Sequence, residues 1–82
     1  MERKMSLFNE LREMSGQEGP AGKLAADLIA FREDYARGDL SRDEYEFLVG
    51  EVASVRAQQE LASDEVACRW ICAAAEAMLS LA

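Results

Sequence analysis

Residues 38–45, GDLSRDEY, carry the strongest local signal for the fold of this chain. Gly38 suits the left-handed backbone conformation that ends many helices. Ser41, followed three residues later by Glu44, forms a capping box, which is a sequence signature of a helix N-terminus. Asp43 and Glu44 also fall in the first turn, where the helix dipole favours negative charge. Because the link between the two signals is short, we expect the flanking helices to fold back as an antiparallel hairpin.

The two arms of this hairpin carry apolar residues at the spacing of a helix–helix seam. The first arm is predicted over residues 21–37 and the second over residues 42–61. Steps of three and four residues define the predicted seam, which consists of Leu24, Leu28, Phe31, Tyr35, Tyr45, Leu48, Val52 and Val55. Phe47 and Val49 lie off this stripe. Phe47 is therefore a candidate for a secondary contact with a partner.

The stretch over residues 28–49 resembles the short helical hairpin of the SHOCT family. The matching positions are Gly38, Leu40, Ser41, Glu44 and Tyr45. The resemblance implies a module that supports oligomerisation or partner binding. This hairpin departs from the family pattern because it lies mid-chain, acids replace most of the usual lysines, and a hydrophobic helix follows it.

Weaker signals place the remaining helices. A short first helix is predicted over residues 6–14, ending at a loop that contains glycine and proline. A last helix is predicted over residues 64–82, after a break at residues 62–63 with Ser63 as its cap. A continuous helix through this point is the alternative, because the residues just before Ser63 include no helix breaker.

The last helix is the most apolar part of the chain. Residues 66–82, VACRWICAAAEAMLSLA, contain only two charges. Apolar residues surround so much of this helix that we expect burial on more than one side. The rest of the chain, a second copy or a partner must cover it, and the small size of the chain favours oligomerisation. The predicted contact consists of Val66, Trp70, Ile71, Ala74, Met78 and Leu81.

Composition argues against several classes of function. The chain has 82 residues and a net charge of −7, and no histidine occurs in it. Nucleic-acid binding is not expected, because it depends on clustered Lys and Arg. Without histidine or a phosphate-binding loop, no enzymatic activity, metal site, cofactor site or small-molecule substrate is predicted. A membrane role is not expected either, because the last helix is short for a span and lacks a basic face.

The cysteines and the first residues bear on the compartment. Cys68 and Cys72 are predicted to be reduced thiols packed as small apolar side chains. The first ten residues, MERKMSLFNE, lack the apolar core of a signal peptide. Both observations favour a cytoplasmic location, or a virion if the protein is encoded by a phage.

These patterns together predict an all-α protein, a small helical bundle of one domain over residues 1–82. An antiparallel hairpin and a hydrophobic C-terminal helix would be completed by oligomerisation or by a larger assembly. The predicted function is that of a non-enzymatic protein-interaction or assembly module. In size, charge and helical character the chain is similar to many small proteins encoded by tailed phages, so a phage structural or assembly component is one possible setting. The alternative is an acidic inhibitor or regulator that binds a basic surface, because residues 41–65 hold two arginines against seven acids.

Overall fold

Helices make up most of the part of the chain that the structure describes. The computed structural model describes the backbone of residues 3–81 and the side chains of residues 7–80. The elements in chain order are α1 (Arg3–Ser15), α2 (Pro20–Arg37), α3 (Arg42–Glu51), a π-helical segment (Val52–Arg56), α4 (Ala57–Glu60) and α5 (Glu65–Leu81). No strand occurs among these residues, and the all-α prediction is confirmed.

The turn between α2 and α3 has the geometry that its residues predict. Gly38 adopts φ 85° and ψ 8°, in the left-handed region. The N–H of Gly38 donates to the Tyr35 carbonyl at 3.1 Å and the N–H of Asp39 donates to the Asp34 carbonyl at 2.8 Å, which is the Schellman arrangement. The capping box is confirmed, because the Glu44 N–H donates to Ser41 Oγ while the Ser41 N–H donates to Glu44 Oε1.

The π-helical segment changes which face of the second arm meets the core. The N–H of Ala57 donates to the carbonyl of Val52, five residues earlier. This wider turn shifts the helical register, so that Ala57 and then Leu61 follow Val52 in the core. The predicted seam is therefore wrong at Val55, which is 40% exposed. Val49, which the sequence placed off the seam, is fully buried.

The first helix is longer than the predicted residues 6–14 and packs mainly against α2. Leu11 provides its fully buried side chain. The loop that follows passes very close to the first turn of α2, at Gly22. A Cβ built on Gly22 would lie 2.0 Å from the Gln17 carbonyl oxygen, so only glycine fits here without a backbone shift.

The chain breaks before α5, close to the predicted position. A turn occupies residues 61–63, and the Ala67 N–H donates to Asp64 Oδ1 at 3.1 Å. Asp64 therefore caps α5, and the prediction that Ser63 is the cap is wrong by one residue. The short carboxylate of Asp64 reaches the third helical N–H just as a serine hydroxyl would.

A single chain encloses the core. α5 packs against α2, α3, α4 and the π-helical segment. The fully or almost fully buried apolar residues are Leu11, Leu24, Ala25, Leu28, Tyr45, Val49, Val52, Ala57, Leu61, Ile71, Ala74, Ala75 and Met78. The accessible surface of 5182 Å² is close to the ~4,900 Å² expected for a folded monomer of this mass.

The dimensions of the chain agree with that surface area. The Cα radius of gyration is 11.9 Å, against about 12 Å for a compact domain of this length. Among the described residues, no helix combines the length and the apolar character that crossing a membrane requires.

Candidate interaction surface

Half of the predicted contact residues of α5 lie inside the chain itself. Ile71 and Met78 have no exposed surface, and Ala74 has 3%. In this fold these three side chains are core residues of the chain itself, where a partner would not reach them. Of the three alternatives for covering α5, the rest of the chain covers this side of the helix.

The other three predicted contact residues have different positions. Val66, in the first turn of α5, is 79% exposed. Trp70 is half-buried and packs against the core. The side chain of Leu81 lies outside the described residues. Among the members of this set whose side chains the structure describes, only Val66 is a large apolar side chain that a partner would meet without disturbing the core.

Polar contacts also fix the inner side of α5. The Tyr45 hydroxyl donates to the Met78 carbonyl at 3.3 Å, and the Tyr45 ring stacks on that of Tyr35 with centroids 4.5 Å apart. Burial raises the pKa of Tyr45, although the charge of Arg32 partly opposes this. These contacts tie both arms of the hairpin to the end of α5.

A thiol contact links α5 to the π-helical segment. The Cys72 Sγ–H donates to the Ala53 carbonyl at 3.3 Å. Burial raises the pKa of the Cys72 thiol, and its neighbour Cys68 adds to this effect. A raised pKa keeps the thiol protonated and unreactive at neutral pH, which suits a structural role.

An ion pair joins α2 to the same segment from another side. Arg56 Nη2 lies 2.6 Å from Asp27 Oδ2. Arg56 Nε lies 3.4 Å from Glu60 Oε2. The hydrogen bond to Asp27 raises the pKa of Arg56, so the arginine remains charged. This basic residue is therefore committed to holding two helices together.

The outward side of α3 and the adjoining π-helical segment carry two of the three large apolar side chains that are exposed among the described residues. Phe47 is 66% exposed and lies between two shallow depressions. The first has a volume of about 390 Å³ and is lined by Leu40, Asp43, Glu44, Phe47 and Leu48. The second has a volume of about 380 Å³ and is lined by Glu46, Phe47, Gly50, Glu51, Ser54 and Val55. We call the residues that line these two depressions the Phe47 surface.

The charges on the Phe47 surface all have one sign. Its lining includes four carboxylates and no lysine or arginine. Glu44 accepts the capping hydrogen bond, and Glu46 pairs with Arg42 at 3.0 Å. Neither Asp43 nor Glu51 takes part in an ion pair within the described part of the chain. An apolar strip with an acidic border is the result.

The Phe47 surface offers apolar and negatively charged groups that another molecule could bind. Within the side chains of residues 7–80, no three potential ligands cluster in a way that would hold a metal ion. Phe47 was identified from the sequence because it lies off the predicted seam. Its exposed companion Val55 was missed, because the periodicity assigned it to the core and only the π-helical turn moves it outward.

Comparison of the chain with protein-family models, with curated proteins and with solved structures found no match. The resemblance of residues 28–49 to the SHOCT hairpin stays a prediction.

Proposed function

We propose that this protein is a non-enzymatic interaction module that binds another protein through the Phe47 surface. The observation that carries the proposal is the exposure of Phe47 in a chain that buries its other aromatic side chains at least partly. Phenylalanine is enriched at protein interfaces, where burial of its ring supplies binding energy. The neighbouring exposed Val55 extends the apolar strip beyond a single side chain.

The folded state of the single chain supports an interaction module over an obligate oligomer. Ile71, Ala74 and Met78 already pack within the chain, so a second copy is not required to cover them. A partner would therefore bind to a preformed surface and would not complete the core.

Site-specific photo-crosslinking in cells of the source organism tests this proposal. Phe47 is replaced by p-benzoylphenylalanine, which keeps an aromatic ring at the position. Matched variants carry the same group at Val66, on α5, and at Ala30, an exposed position of α2. We expect a discrete adduct from position 47 that excess unlabelled protein competes away, and no such adduct from position 30. An adduct at position 66 without one at position 47 would transfer the function to α5.

A second candidate is self-association through the outer side of α5, as part of an assembly such as that of a phage. The exposure of Val66 favours it, together with the exposed Ala73 and half-buried Trp70 on the same helix. Sedimentation at micromolar concentration would then give more than one chain per particle, and Val66→Asp would return it to one. Val66 is a cleaner probe than Trp70, because the indole also packs against the core.

A further inference from the structure

We propose that the partner of the Phe47 surface is a basic amphipathic helix of another protein. This inference rests on the proposed function and deepens it by assigning a chemical class to the partner. Three features of the surface support it: the exposed apolar strip, the sign of the charges beside it, and the helical shape of the surface.

The apolar strip has the length of a short helix. It runs from Leu40, in the hairpin turn, past Phe47 to Val55 at the π-helical segment. The helical part of the strip, residues 42–55, is fourteen residues long and rises about 20 Å, which is nearly four helical turns. A partner helix laid along the strip would therefore present apolar side chains from successive turns to Phe47 and to both depressions.

The acidic border selects the charge of the partner. Asp43 and Glu51 lie on either side of Phe47 in sequence and line different depressions. Lysine or arginine on the polar flanks of a partner helix would approach these carboxylates, whereas acidic flanks would be repelled. Asp43 is exposed and Glu51 is half-buried, and neither carboxylate holds a cap or forms an ion pair within the described residues.

The same charges disfavour a second copy as the occupant. A two-fold contact through this surface would place the four carboxylates of one chain against those of the other. Like charges brought together in an interface oppose association and are a common means of excluding wrong partners. The net charge of −7 adds repulsion between copies at longer range.

The shape of the surface favours a helix over an extended peptide. The depressions lie along α3 and the π-helical segment, and no sheet edge is present among residues 3–81 to pair with a strand. The ridges of one helix pack into the grooves beside another. A helix also keeps its own backbone hydrogen bonds satisfied, so the contact needs only side chains from both partners.

Designed peptides of about 18 residues, or five helical turns, test the inference. The first peptide has leucines on one helical face and lysines elsewhere. The second replaces every lysine by glutamate, and the third has the composition of the first in an order without an apolar face. Binding is followed by amide chemical-shift mapping of the labelled full chain, which gives both the location and the Kd. We expect only the first peptide to bind, with shifts confined to residues 40–55 and with a Kd that rises with salt.

Variants separate the contribution of the apolar strip from simple charge attraction. Phe47→Ser is expected to raise the Kd for the first peptide about ten-fold. The matched control Val66→Ser removes another exposed apolar side chain beside an acid and should change the Kd less than about two-fold. The double variant Asp43→Asn, Glu51→Gln should weaken binding and reduce its salt dependence, whereas Glu13→Gln on α1 should do neither.

Several outcomes would overturn the inference. If the glutamate peptide bound at residues 40–55 as tightly as the lysine peptide, the basic class of partner would be wrong while the Phe47 surface remained a binding site. Dimerisation of the chain through this surface would have the same consequence. If the third peptide bound equally well, or Phe47→Ser had no effect, the binding would be charge attraction alone. If no peptide shifted residues 40–55 and position 47 gave no crosslink, the proposed function would fail as well.

Discussion

The helix α5 and the outward side of α3 have opposite compositions and opposite environments. Among the helices, α5 has the most apolar sequence, yet Ile71, Ala75 and Met78 on its inner side are completely buried by the same chain. The helix α3 is acidic and mostly polar, yet it carries Phe47, which is two-thirds exposed. The more apolar helix is therefore the internal one, and the candidate binding surface lies on the more polar helix.

The difference shows what determines an interaction surface in a small protein. The amount of apolar surface in a segment does not locate a partner, because a core needs such a segment just as an interface does. Exposure after packing is the informative quantity. In this chain the inner side of α5 packs against α2, α3 and α4. Phe47 stays exposed because its own helix presents Tyr45 and Val49 to the core.

The largest expected effect comes from truncating matched side chains in the two regions. Met78→Ala should lower the free energy of unfolding by about 2–5 kcal/mol, because it leaves a cavity in the core. Phe47→Ala should change it by less than about 0.5 kcal/mol, because the exposed ring makes few contacts in the free protein. Urea unfolding followed by circular dichroism measures both values. Equal losses in the two variants would contradict the division into a core helix and an exposed surface.

A second pair of substitutions compares two glycines, one near the core and one on the Phe47 surface. Gly22→Ala should destabilise the protein by about 1–3 kcal/mol, because the added Cβ would collide with the Gln17 carbonyl. Gly50→Ala should stabilise it by about 0.5–1 kcal/mol, since a Cβ there meets no atom within 4 Å and alanine favours the helix. Thermal unfolding of the two variants should shift the midpoint in opposite directions. A loss of stability in both would show that Gly50 is constrained too.

The smallest expected effect is the change in the free energy of unfolding that the titration of Tyr45 causes. It is measurable only at alkaline pH. Burial raises the pKa of Tyr45 above the ordinary value of 10.0, so above that pH the unfolded chain loses the proton more readily than the folded one. The contribution of Tyr45 to the free energy of unfolding is therefore fully present below pH 10 and should be lost as the pH rises through the folded pKa. The free energy of unfolding should decline less steeply in Tyr45→Phe than in the native chain. Parallel declines would mean that other groups cause the alkaline loss.

Local signals predicted the helices because they act over a few residues. The hairpin turn was predicted from Gly38, Ser41 and Glu44, whose hydrogen bonds form within one turn of helix. The break before α5 was predicted to about one residue, although Asp64 and not Ser63 provides the cap. Both residue types are good caps, so the sequence alone leaves the choice between neighbours open.

The candidate site was predicted only in part, because exposure depends on how helices pack. Phe47 was identified by its position off the seam, whereas Val55 was assigned to the wrong face. Regular periodicity assumes 3.6 residues per turn, and the single wider turn after Val52 rotates all later residues. Residues 52–56 contain no proline or glycine that would mark the turn in the sequence. The residues at its two ends keep helical backbone angles.

The sequence by itself determined the all-α class, the hairpin with its caps, and the acidic character of residues 41–65. Each of these follows from residue types and from interactions between near neighbours along the chain. Only the tertiary structure decided that the inner side of α5 is covered by its own chain and that Phe47 and Val55 face outward together. Those outcomes depend on which helices meet and on the register at which they meet, and both are set by contacts between residues far apart in sequence.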